Sequence, residues 1–111
     1  MSRRDSDILI QDMLESCSKI NKYVGSLTFK EFQEDDKTID AVIRNFEIIG
    51  EAANGLSEDF KDKHTEVDWH KIRGFRNRIV HDYAGVDLKI IWSIITNFLP
   101  DLIKKLQGID I

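Results

Sequence analysis

Residues 76 to 83, Arg76-Asn77-Arg78-Ile79-Val80-His81-Asp82-Tyr83, place two guanidiniums, an imidazole and a phenol within eight positions, just before the chain breaks at Ala84-Gly85. These types suit work on a phosphate. Arginine offers a fixed fork of N–H donors to phosphate oxygens, and histidine is the side chain whose proton moves near neutral pH. A histidine at a helix C-terminus is also held as a cation, from which it can donate a proton. Arg76 and His81 are five residues apart, a rotation of about 140° on a straight helix, so they diverge unless the helix ends before the histidine. Asp82 and the Ala84-Gly85 turn predict that ending.

The elements that must position this stretch are helical. Apolar residues at Ile10, Met13, Leu14, Cys17, Ile20 and Val24 form one stripe of a helix over Ser6 to Val24, ended by Gly25-Ser26. Thr28 caps a short turn, Phe29 to Gln33. A second long helix runs from Asp36 to Asn54 on Ile39, Val42, Ile43, Phe46, Ile49 and Ala53, with Gly55 placed to end it. Ser57 caps a brief turn through Phe60, and Lys61 to Glu66 reads as an exposed connection. Asp68 caps the third long helix, which faces the core with Trp69, Ile72, Phe75 and Ile79. Gly85 ends that segment. Asp87 caps a fourth, bent near Pro100, with Leu88, Ile91, Trp92, Ile95, Phe98, Leu102, Ile103 and Leu106 on its apolar side.

The predicted fold is therefore all-α: one domain over residues 1–111, an up-and-down four-helix bundle with a short extra helical turn. The first and fourth long helices are apolar over more than one stripe, which predicts a homodimer. The alternative is that Trp92 and Ile94 cover the bundle's own ends.

Composition narrows the function classes. With 41% hydrophobic and 32% charged residues the chain belongs with folded globular domains, and no apolar run is long enough to span a bilayer. The expectation is a cytoplasmic protein without a membrane partner. A lone Cys17 on an inward stripe reads as a small buried hydrophobe. The net charge of -4 argues against non-specific coating of nucleic acid, but residues 69–81 carry Lys71, Arg73, Arg76 and Arg78 and no acid, leaving -8 on the remainder.

Two further patterns bear on chemistry. Asp40, Arg44, Glu47 and Glu51 stand in one line along the second long helix, where Arg44 can bridge Asp40 and Glu47. The repulsion between Glu47 and Glu51 would be relieved by arginines of the third helix lying opposite; an ordinary solvated face fits equally. Metal ligation is not indicated. None of His64, His70 or His81 follows a glutamate by three positions, and no His-Glu-x-x-His or cysteine cluster occurs. No cofactor is implied. Gly74, between Arg73 and Phe75, is expected to allow close packing of the third helix.

Cleavage of RNA without a metal needs a group to take the 2'-hydroxyl proton, a group to protonate the leaving 5'-oxygen, and positive charge on the phosphorane. One arginine and one histidine are too few, whereas two copies across a two-fold axis supply two of each.

The chain carries R-x4-H-x-Y in Arg76, His81 and Tyr83, with Asn77 directly after the arginine. The approach W-x-x-I-x-G-x-R-N runs from Trp69 to Asn77, and R-x-x-E-I-I-G-E-A runs from Arg44 to Ala52. In these it resembles the HepT-like ribonucleases of the HEPN superfamily over nearly its whole length. The resemblance implies a helical bundle that homodimerises with its two motifs facing a shared cleft and cleaves RNA there without a metal. His81 is then the general acid or base, Arg76 stabilises the phosphorane, Asn77 orients the histidine or binds phosphate, and Arg44 and Glu47 position Arg76. It further implies a toxin–antitoxin pair in which an MntA-type nucleotidyltransferase silences the RNase by moving AMP from ATP onto Tyr83. The alternative is a non-catalytic subunit that binds a nucleotidyltransferase or a nucleotide through the same basic corner.

Overall fold

The computed structural model describes residues 3–81 and 87–109, apart from the side chains of residues 3–4 and 78–81. Among the described residues the regular structure is entirely helical, with no strand. The elements are α1 (Arg3–Val24), α2 (Phe29–Gln33), α3 (Asp36–Gly55), α4 (Glu58–Lys63), α5 (Trp69–His81), α6 (Leu88–Ser93) and α7 (Leu99–Gln107), with a π-helical turn, Ile94–Phe98, joining α6 to α7. α1, α3, α5 and the α6–α7 unit supply the four long members of the bundle, and α2 and α4 are short additions.

Most helix starts are set by local capping. Thr28 and Glu31 form a reciprocal capping box at α2. Asp35 accepts a hydrogen bond from the Thr38 amide at 3.0 Å, Ser57 from Phe60 at 3.1 Å, Asp68 from Lys71 at 2.9 Å, and Asp87 from Lys89 at 2.9 Å. Each bond satisfies an amide that the first helical turn leaves without an intrahelical acceptor. α4 runs three residues beyond the expected turn, into the stretch that reads as an exposed connection. Glu58 and Asp59 in its first turn and Lys61 and Lys63 in its last complement the helix dipole, which favours the extra turn.

α1 packs antiparallel to α3, with Leu9 against Gly55, and α3 in turn packs on α5 while α7 returns to α1. Their inward stripes meet in one core that includes Ile10, Met13, Cys17, Ile20, Val42, Phe46, Ile49, Ile72, Ile91, Leu99, Leu102 and Leu106. Cys17 is fully buried, and burial pushes its thiol up to about 12.

Two expectations are corrected here. The apolar surplus on the fourth long helix is covered within the chain: Trp92 packs against Phe29 and Phe32 of α2, with ring centroids 5.7 and 5.2 Å away, and Ile94 is buried. Among the described residues the exposed large hydrophobics are Ile8 and Tyr23, both on α1, so what stays uncovered of the surplus belongs to the first long helix. Gly74, expected to admit a neighbouring helix, has nothing within 4 Å of where a Cβ would stand. Close approach occurs instead at Gly50.

The distortion expected near Pro100 lies in the turn before it. Proline lacks an N–H and its ring crowds the carbonyl four residues back. The chain answers with the wide turn Ile94–Phe98, in which the Leu99 amide donates to the Ile94 carbonyl, and helical structure continues through Pro100.

Candidate active site

The basic stretch occupies the second half of α5, and α5 is positioned by α3. One close contact between them is that of Gly50 with Arg76. A Cβ built on Gly50 would stand 2.5 Å from Arg76 Cβ and 2.7 Å from its Cγ, closer than real Cβ contacts come. The arginine's aliphatic stem therefore lies directly on the bare backbone of α3. Arg76 is half-buried, and its Nε is buried with no hydrogen-bond partner. A buried N–H without an acceptor is unfavourable, so among the described residues it is the packing of the stem that holds the side chain there.

Neither Glu47 nor Glu51, which flank Gly50 on α3, makes an ion pair with Arg76 among the described residues. Glu47 instead pairs with Arg44 at 3.7 Å, one turn back on the same helix, and the arginine is the more exposed of the two. The expected Arg44–Glu47 bridge is present, and the structure does not join it directly to Arg76. An exposed pair at this distance contributes little to stability. Asn77 is exposed next to Arg76.

The backbone of α5 remains helical through His81, its last residue. The expected ending before the histidine does not occur, so the rotation of about 140° between positions 76 and 81 applies within one chain. The side chain of His81, and Tyr83 with the turn at Gly85, lie outside the described residues.

Lys71 and Phe75, one turn apart on α5, line a cleft of about 590 Å³ with Ser93, Ile94, Asn97 and Phe98. The Lys71 ammonium lies 5.0 Å from the centroid of Phe98, which meets Phe75 edge-to-face at 5.1 Å. The exposed Lys71 and Arg73 continue the basic surface toward the start of α5. Among the described residues no three His, Cys, Asp or Glu side chains gather as a metal site, and no helix is long and apolar enough to cross a membrane.

Comparison with known proteins settles the family. The family model described as "Ribonuclease HepT-like" matches residues 13–109. The chain belongs to the HepT-like ribonuclease family. It is 38% identical to "Putative RNase MJ0127" of Methanocaldococcus jannaschii over 98% of this chain and 90% of that protein. It is 36% identical to "Probable ribonuclease HepT" of Thermococcus cleftensis, over 96% of each. A third relative, "Putative RNase TTE0752" of Caldanaerobacter subterraneus, is 35% identical over 90% of this chain and 89% of its own length. No solved structure matches the chain significantly.

Sequence reasoning missed the close contact of Gly50 with Arg76. The signal was available: a glycine inside a strong helical pattern is unfavourable there unless it admits something close. What the pattern did not say was which of two helical glycines had a neighbour.

Proposed function

We propose that this protein is a metal-independent RNase toxin of a toxin–antitoxin pair, with one site composed across a homodimer. Membership of the HepT-like family supports an RNase. The observation that carries the composite site is the helical backbone of α5 through His81. Arg76 and His81 leave that helix about 140° apart, so one copy does not aim both at one phosphate. A two-fold axis beside residues 76–83 turns the histidine of each copy toward the arginine of the other.

In this site one His81 takes the proton from the 2'-hydroxyl as its oxygen attacks phosphorus. The other gives a proton to the departing 5'-oxygen, and the products are a 2',3'-cyclic phosphate and a 5'-hydroxyl end. The Arg76 pair stabilises the charge of the phosphorane. Asn77, exposed beside Arg76, orients the histidine or holds a phosphate oxygen. The Arg44–Glu47 pair supports the α3 surface on which Arg76 lies. The same reading places the protein in the cytoplasm, beside cellular RNA.

Control falls to Tyr83. An MntA-type nucleotidyltransferase joins AMP to its hydroxyl with release of pyrophosphate from ATP. The new phosphodiester then brings an anion and an adenosine to the site, satisfying Arg76 in place of substrate phosphate.

The test is cleavage of an oligoribonucleotide by the purified chain in excess chelator. Wild type is expected to cleave, His81→Ala to be inert and Arg76→Ala to keep only a small residual rate, both variants with unchanged helix content. An inert wild type that still binds a nucleotidyltransferase or a nucleotide would favour the non-catalytic reading. A fully active His81→Ala protein would remove the mechanism.

A further inference from the structure

We infer that Gly50 is a positioning residue for Arg76: by lacking a side chain, it lets the arginine stem lie on α3 and presents the guanidinium to substrate in one fixed pose. This rests on the RNase reading above and adds to it a residue that does not touch RNA.

The geometry is specific. The nearest atoms to an added Cβ are the Arg76 Cδ, Cβ and Cγ, so the whole first half of the stem lies over Gly50. The Arg76 Cβ is fixed to the backbone, and no rotation of the side chain moves it away. A methyl group at position 50 therefore displaces α5 from α3 or bends the helix locally. The Nε is buried and unpartnered, so it is unable to reach a ligand in this pose. Of the five N–H donors of a guanidinium, the four on the terminal nitrogens are left to grip the phosphate. The grip is end-on, and its direction is set by the contact with α3. An arginine ordered before substrate arrives loses less freedom in the transition state than one that must be gathered from solvent.

The experiment has a structural and a kinetic arm, both on the full chain. In wild type, the Nε–H of Arg76, identified in nitrogen-15 spectra by its loss in Arg76→Lys, is expected to exchange with water at least roughly tenfold more slowly than that of the exposed Arg44. Gly50→Ala should abolish that difference. With an oligoribonucleotide substrate, Gly50→Ala should lower kcat by about 100-fold, the scale of a small misplacement of a catalytic group, with KM nearly unchanged. In the Arg76→Ala background the same change should lower the residual rate by less than about threefold, because there is no longer a guanidinium to misplace.

Equal exchange rates for Arg76 and Arg44 in wild type would overturn the inference even if Gly50→Ala failed to fold. So would wild-type cleavage by Gly50→Ala beside an Arg76→Ala that keeps only its small residual rate. Cleavage by Arg76→Ala at the wild-type rate would instead overturn the functional reading of Arg76 itself.

Discussion

Gly74→Ala should stabilise this protein, and the size of the effect follows from two features of α5. Position 74 is inside the helix, where alanine is favoured over glycine by roughly 1 kcal/mol through lower backbone entropy in the unfolded chain. An added Cβ there meets nothing within 4 Å, so no packing cost opposes the gain. For a domain of 111 residues, ~1 kcal/mol corresponds to a rise in melting temperature of about 4 °C. Gly50→Ala is the matched comparison, with the same helix-propensity gain set against an overpacking cost of about 1–3 kcal/mol. Its net effect should lie between nothing and a loss of roughly 2 kcal/mol. Thermal and urea unfolding of both variants by circular dichroism, at one protein concentration, decides the matter. A loss of stability in Gly74→Ala would refute the reasoning, since it would mean that the Gly74 face of α5 is covered.

Cys17 gives a pH-dependent prediction. Its folded thiol is pushed up to about 12 by burial, so its contribution to stability is full below the unfolded thiol's pKa of about 8.5 and is progressively lost as pH rises toward 12. Urea unfolding across this range should show less high-pH loss in Cys17→Ala than in wild type, and a thiol reagent at pH 8 should label native wild type only as fast as it unfolds. Tyr83→Phe should cleave RNA yet gain no mass on incubation with its nucleotidyltransferase and ATP. An AMP adduct on Tyr23 instead would overturn the assignment of the acceptor.

The sequence announced local features more fully than tertiary ones. Thr28, Ser57, Asp68 and Asp87 could be assigned as caps because a cap is a bond between a side chain and an amide two or three residues on. The inward faces of α1 and α3 were legible for the same reason, since period and burial agree along a single helix. Trp92 was harder. Its apolar surface looked like surplus until α2 folded back over it, and only the path of the intervening chain brings Phe29 and Phe32 there. Gly50 and Gly74 show the same limit at the site: both interrupt a helical pattern with hydrogen, and their difference lies wholly in what stands opposite. Arg76 and His81 were recognisable as types at a known spacing. The support beneath Arg76 belongs to another helix, and spacing along α5 carries no trace of it.

The wide turn before Pro100 also governs phase. The buried positions Ile91, Ile95, Leu99, Leu102 and Leu106 advance by four, four, three and four residues, longer on average than the ~3.6 residues of an α-helical turn. On a straight helix that excess would walk the apolar line about 60° around the axis between its first and last members. The turn Ile94–Phe98 takes up an extra residue, and α6 and α7 keep facing one core as a single rod. The segment thus works as a phase corrector: without the wide turn, the same residues wound as ordinary α-helix would carry the α7 face that closes the bundle against α1 about 60° out of line with α6.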